Sequence, residues 1–135
     1  MTIYWGDGTN TATNPSGGAA ESSGTWSPSY YNANNVSVST NAAQYIAVGD
    51  LVHFNIRFYV PNTYDSDQIR FTLPYTNGGD EVIVICIKQG HGADLIGKIT
   101  SGSSWCQVRT HDGDDHLTYT TQDDRTFVLS GTYQK

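Results

Sequence analysis

Between Gln44 and Val60 the chain reads QYIAVGDLVHFNIRFYV. Val52, Phe54, Ile56, Phe58 and Val60 alternate with His53, Asn55, Arg57 and Tyr59. A helix turns every 3.6 residues and cannot keep such a series on one face. A pleated strand places it there directly. The stretch is therefore a half-buried strand, and its apolar row needs a second layer to cover it. Gly49-Asp50 separates this strand from the shorter run before it. Gly accepts positive φ, so the pair predicts a tight hairpin turn.

A second stretch sharpens the constraint. Val82 to Ile87 reads VIVICI, with Val82, Val84 and Cys86 on one face and Ile83, Ile85 and Ile87 on the other. A strand apolar on both faces is buried twice. A facing sheet covers one side, and the sequence offers no helix for the other. A neighbouring subunit is the expected cover, because obligate interfaces resemble a core cut in half. Val82 and Val84 are the residues assigned to that interface. Further alternating runs occur at Ile69 to Leu73, Ala93 to Ile99, Trp105 to Thr110, Leu117 to Thr121 and Phe127 to Tyr133. Weaker strand signals precede Pro28 and span Val36 to Thr40. Turn clusters such as Asn77-Gly78-Gly79-Asp80 lie between them. Eight or nine short strands so spaced predict an all-β fold, an antiparallel β-sandwich of jelly-roll type.

A chain of 135 residues suits one domain. Residues 1–23 are rich in Gly, Asn, Ser and Thr and read as an extended N-terminal arm, leaving 24–135 as the sandwich. Tyr4 and Trp5 are the arm's expected anchors on a partner protein or subunit. The alternative is a strand folded back on its own domain. The formal net charge of −6, with seven Lys and Arg, argues against nucleic acid and against docking on an anionic membrane. Met1 to Ala20 lacks a basic start and an apolar core, and no run is long enough to span a bilayer. Assembly in a cytoplasm is expected. Cys86 and Cys106 fall in predicted strands and read either as two buried free thiols or as a bridge between neighbouring strands.

Candidate sites lie on loops and outward faces. Trp105 projects with Gln107 and Arg109 from the polar face of its strand, a combination suited to stacking on a sugar ring and bonding its hydroxyls. Packing against a subunit or the arm is the alternative. Tyr64, Asp65 and Asp67 form a loop of similar chemistry, and His111 opens another. Asp112, Asp114 and Asp115 carry oxygen ligands of the kind Ca²⁺ takes. No glutamate completes an EF-hand loop, His111 and His116 suit a transition metal instead, and a solvated turn explains the residues equally. No metal and no cofactor is assigned. No carboxylate pair sits in an apolar setting and no G-x-S-x-G elbow occurs, so no catalytic residue is assigned and no enzyme is expected.

The order of these pieces carries a resemblance. Gly24-Thr25-Trp26-Ser27-Pro28 leads into Tyr45, Gly49 and Val52 of the hairpin, and the chain closes on Ser130-Gly131-Thr132-Tyr133. This succession, over about residues 24–135, resembles the β-sandwich tip domain of bacteriophage tail fibres and tailspikes. The resemblance implies a homotrimeric module on the virion surface that binds a host-surface glycan or protein, with no catalytic set to transfer. Such tips usually end a long shaft, whereas only a short arm precedes the domain here. Either another chain supplies the shaft or this protein sits directly on the particle. The second reading is thus a capsid decoration or tail adaptor protein, purely structural, with the arm as its clamp. A glycan-binding module of a cellular enzyme is a third, disfavoured by the lack of an accompanying catalytic domain.

Overall fold

A computed structural model describes residues 3–4, 10–11, 21–31, 38–61, 68–88, 95–110 and 125–135, with backbone alone at 3–4, 10–11, 88 and 125. The described residues are all-β and antiparallel, without helix. Strands β1 (Ile3–Tyr4) and β2 (Asn10–Thr11) pair with each other. The other eight are β3 (Glu21–Thr25), β4 (Ser39–Val48), β5 (Leu51–Val60), β6 (Arg70–Thr72), β7 (Val82–Lys88), β8 (Leu95–Ile99), β9 (Trp105–Thr110) and β10 (Arg125–Gln134). They form one sheet in the order β3-β4-β5-β10-β7-β8-β9-β6. The sheet therefore begins at Glu21, just before the boundary expected at residue 24. The Leu117–Thr121 strand lies outside the described residues.

The two layers expected of a sandwich are two halves of this single curled sheet. Segment 26–31 brings the edges together. It leaves β3, where the Trp26 amide still donates to the Ala43 carbonyl of β4 at 3.2 Å. It turns at Ser27-Pro28 and reaches β6 at the opposite edge. There the Tyr31 amide donates to the Arg70 carbonyl and the Thr72 amide donates to the Ser29 carbonyl, at 3.0 and 2.9 Å. A strand that changes partners at a bend is a common way to turn a sandwich corner. The Trp26 indole secures the crossing by donating to the Thr72 carbonyl at 2.8 Å.

The core fills the inside of the curl. Val52, Phe54, Ile56, Phe58 and Val60 are all fully buried, as their alternation requires. Phe58 stacks on Phe127 at 5.3 Å, and both Phe54 and Phe58 meet Phe71 across the core, at 6.1 and 5.8 Å. Strands β5 and β6 are far apart in the sheet order, so these ring contacts exist only because the sheet curls. The hairpin turn is the expected two-residue loop: Val48 pairs with Leu51, and Gly49 has φ of 57°. Positive φ at the first central position is what primed hairpin turns require.

One expectation is reversed. Val82 and Val84, assigned from the sequence to a subunit interface, belong to the chain's own core; Val84 is buried and Val82 packs partly buried against it. The isoleucines on the opposite face are the exposed ones. The reason lies in the neighbouring strands. A Cβ on Gly97 of β8 would stand 2.5 Å from one Val84 methyl, and a Cβ on Gly131 of β10 would stand 2.2 Å from the other. Two glycines flanking β7 thus form a notch on the inner face that a valine fills.

The two ends of the sheet differ. At one, Asn77 is a fully buried polar hub. Its amide donates to the carbonyls of Asp80 and Thr100, at 2.9 and 3.2 Å, and its side-chain oxygen accepts from the Gly79 amide at 3.0 Å. The Gly78 amide donates to the Gln134 carbonyl, tying the last strand in. At the other end Val60 pairs with Arg125, Lys88 with Phe127, and Leu95 with Thr110. Connections 62–67, 89–94 and 111–124 all attach there, and they carry eight of the thirteen acidic residues.

Candidate functional site

The outward face of β9, β6 and segment 29–31 gathers the chemistry expected around Trp105. Gln107 lies directly between Lys98 of β8 and Arg70 of β6 in the sheet register. Trp105 pairs with Thr72, and Arg109 with Ile96. Alternation explains the arrangement: Cys106 and Val108 are fully buried, so Trp105, Gln107 and Arg109 face outward and are half-buried. The Arg109 guanidinium donates to the Gln107 amide oxygen at 3.2 Å.

Two residues not singled out in the sequence complete this surface. The Tyr31 ring meets Trp105 edge-on at 5.9 Å, and the Arg70 guanidinium lies over Tyr31 at 4.6 Å. Arg70 also donates to the side-chain oxygen of Gln68. Its Nε is buried and has no hydrogen-bond partner. Neither Arg70 nor Tyr31 belongs to a motif in the sequence. Only the crossing of segment 26–31 to β6 brings them together.

What this surface offers is a set of aromatic rings beside fixed donors and acceptors. An aromatic face suits the C–H face of a sugar, and amide and guanidinium groups suit its hydroxyls. The surface runs toward the end where connections 62–67 and 111–124 attach. Tyr64, Asp65, Asp67 and His111 belong to those connections and lie outside the described residues, as do Asp112, Asp114, Asp115 and Trp5. Tyr4 is described in its backbone alone, within β1. Among the described residues no three His, Cys, Asp or Glu side chains gather to hold a metal ion.

A second concavity lies on the same outer side of the sheet, across β3, β4 and β5. It is a trough of about 450 Å³, lined by Ser23, Thr25, Gln44, Ile46, His53 and Asn55 among others. His53 Nδ1 and the Thr132 hydroxyl are 3.0 Å apart beside it. No motif announces this trough, because it depends on β3 pairing with β4 along the exposed edge.

The two cysteines are free and buried on the inner face. Burial pushes the Cys86 thiol up to about 12, and burial followed by the proximity of Cys86 pushes Cys106 well above its usual value. Both are thiols at neutral pH and unsuited to nucleophilic chemistry. Trp26 and Tyr133, two of the residues that carry the resemblance, serve as scaffold. The Trp26 ring packs edge-on against Phe54 and Tyr45. Tyr133 donates to the Tyr75 carbonyl at 2.8 Å and accepts from the Tyr75 amide at 3.0 Å.

Comparison of the chain with protein-family models, with curated proteins and with solved structures found no match.

Proposed function

We propose that this chain is a surface module of a bacteriophage particle, homotrimeric, that recognises a host-surface glycan through the outward face of β9 and β6. The observation that carries the recognition is the grouping of Trp105, Tyr31 and Arg70, with Gln107 and Arg109 beside them. Trp105 is the stacking platform, Gln107 and Arg109 bind ring hydroxyls, and Arg70 braces Tyr31 against Trp105. Self-association is supported by the bare isoleucines of β7: Ile83, Ile85 and Ile87 are 54%, 69% and 57% exposed. Such a row on a sheet face marks an interaction surface.

The test is binding of the full chain to intact host cells and to extracted surface glycans, alongside Trp105→Ala. Binding that falls tenfold or more in the variant, with an unchanged thermal midpoint, supports the reading. Lack of binding by the unaltered chain overturns glycan recognition and leaves the structural role of a decoration or adaptor protein.

A further inference from the structure

Among the described residues, the six exposed large hydrophobics lie in two groups. One is the β7 row, Ile83, Ile85 and Ile87. The other is the tip of the β4–β5 hairpin, where Ile46, Val48 and Leu51 are 48%, 45% and 57% exposed. Ala43 and Ala47 are the buried residues of β4, so Ile46 and Val48 point to the outer side; Leu51 alternates with buried Val52 and does the same. The two groups thus share the outer face of the sheet. Polar residues separate them: His53 and Asn55 on β5, Ser130 and Thr132 on β10.

Their rims carry opposite charge. Glu21 pairs with Val48 and Asp50 occupies the hairpin turn, so the tip is acidic. Around the row, Arg57 pairs with Val128 and Val128 with Ile87. Lys98 pairs with Ile83, and Ile96, the partner of Ile85, pairs with Arg109. Lys98 also holds Glu81 at 3.2 Å. The shapes differ in the same sense: the tip adjoins the trough beside Ile46, whereas the three isoleucines stand outward. Strand β3 adds a third observation. All five of its residues are exposed although it pairs with β4, and its side-chain contact to the rest of the chain is the 3.4 Å approach of the Ser22 hydroxyl to that of Tyr75.

From these features we infer that the hairpin tip of one copy docks on the β7 row of the next. This contact rests on the self-association proposed above and assigns its two surfaces. A row-to-row contact would set Arg57, Lys98 and Arg109 of one copy against those of another, and like charges brought together oppose association. It would also leave the tip bare. Tip on row covers both apolar groups and brings acid to base. Each copy offers one tip and one row, so the contact closes either twice about a two-fold axis, each tip on the other copy's row, or once per copy around a larger ring.

The experiment is sedimentation of the full chain at tens of micromolar, with Leu51→Lys and Ile85→Glu. Both positions are exposed, so circular dichroism and the thermal midpoint should match the unaltered chain. Each variant alone should sediment as a monomer. An equimolar mixture should associate again, because the Ile85→Glu copy keeps its tip and the Leu51→Lys copy keeps its row. Assembly that survives Leu51→Lys but not Ile85→Glu overturns the tip-on-row contact while leaving self-association intact. A mixture that stays monomeric overturns it as well. An unaltered chain that is itself monomeric overturns the self-association reading and this contact with it.

Discussion

Strands β5 and β7 lie on either side of β10 and contribute to the same core. Inside the curl they do the same work: β5 presents Phe54, Ile56 and Phe58, and β7 presents Val84 and Cys86. Outside they part. Strand β5 shows water His53, Asn55 and Arg57 along most of its length, whereas β7 shows Ile83, Ile85 and Ile87. Stability of the single chain explains the inner faces of both strands. It does not explain the outer face of β7, where polar residues would serve as well. The difference separates what the chain needs in order to fold from what it keeps for a partner.

The largest effect should come from the inner face of β5. Phe58 is fully buried among Phe71, Phe127 and Tyr30. Phe58→Ala removes a ring at the point where the two halves of the sheet meet, and should cost about 3–5 kcal/mol. Urea unfolding monitored by tryptophan fluorescence measures it. A cost below about 1 kcal/mol would show that the halves are not packed through this ring.

On β7 the corresponding constraint is the glycine notch. Gly131→Ala places a methyl against Val84 and should cost about 1–3 kcal/mol. Val84→Ala vacates the space, so the double variant should recover part of the loss. The two are direct neighbours and should be strongly non-additive. Simple additivity would remove the notch as the reason that β7 faces the way it does.

That orientation was the part of the fold least legible in the sequence. The β5 core row could be read off residue by residue, because its two faces differ in polarity. The same contrast orients β9, where Cys106 and Val108 alternate with Trp105, Gln107 and Arg109. VIVICI has no such contrast, and its orientation is set by two glycines on other strands. The curl was hidden likewise. GTWSPSYY shows a strand stopped by proline, but not that the chain then pairs with the far edge of the sheet. The candidate ligand surface was half legible: Trp105, Gln107 and Arg109 follow from alternation, whereas Tyr31 and Arg70 reach them through that crossing.

Titration gives a third contrast, because β7 and β10 each bury an acidic proton where β5 buries none. Burial holds Cys86 on β7 and Tyr133 on β10 up at about 12, the latter with a lowering contribution from its hydrogen bond to Tyr75. In the unfolded chain these groups ionise near 9 and 10. Above pH 9 the unfolded chain therefore loses protons that the folded chain keeps, and stability falls with rising pH. The contribution is complete below pH 9 and lost by about pH 12. The slope should be at most about 1.4 kcal/mol per pH unit for each group, and less for the incompletely buried Tyr133. Urea midpoints should fall steadily from pH 9 to 11, and Cys86→Ala should lessen the slope between pH 9 and 10, where the buried Cys106 still contributes. A flat profile would mean that the thiol titrates as freely in the fold as outside it.

The smallest effect on stability is the most informative about the outer faces. Asn55 and Ile85 both flank Ser130 on the outer surface of β10, one from each side. Asn55→Thr and Ile85→Thr each place a strand-favouring residue at an exposed position, and each should shift monomer stability by less than about 0.5 kcal/mol. They should differ in everything that depends on a partner. Ile85→Thr should weaken self-association and lower the binding of a fluorescent hydrophobic probe, whereas Asn55→Thr should change neither. Equal behaviour in both assays would place the isoleucine row among ordinary surface residues. A stability loss of several kcal/mol from Ile85→Thr would instead mean that the outer face of β7 is buried within the single chain.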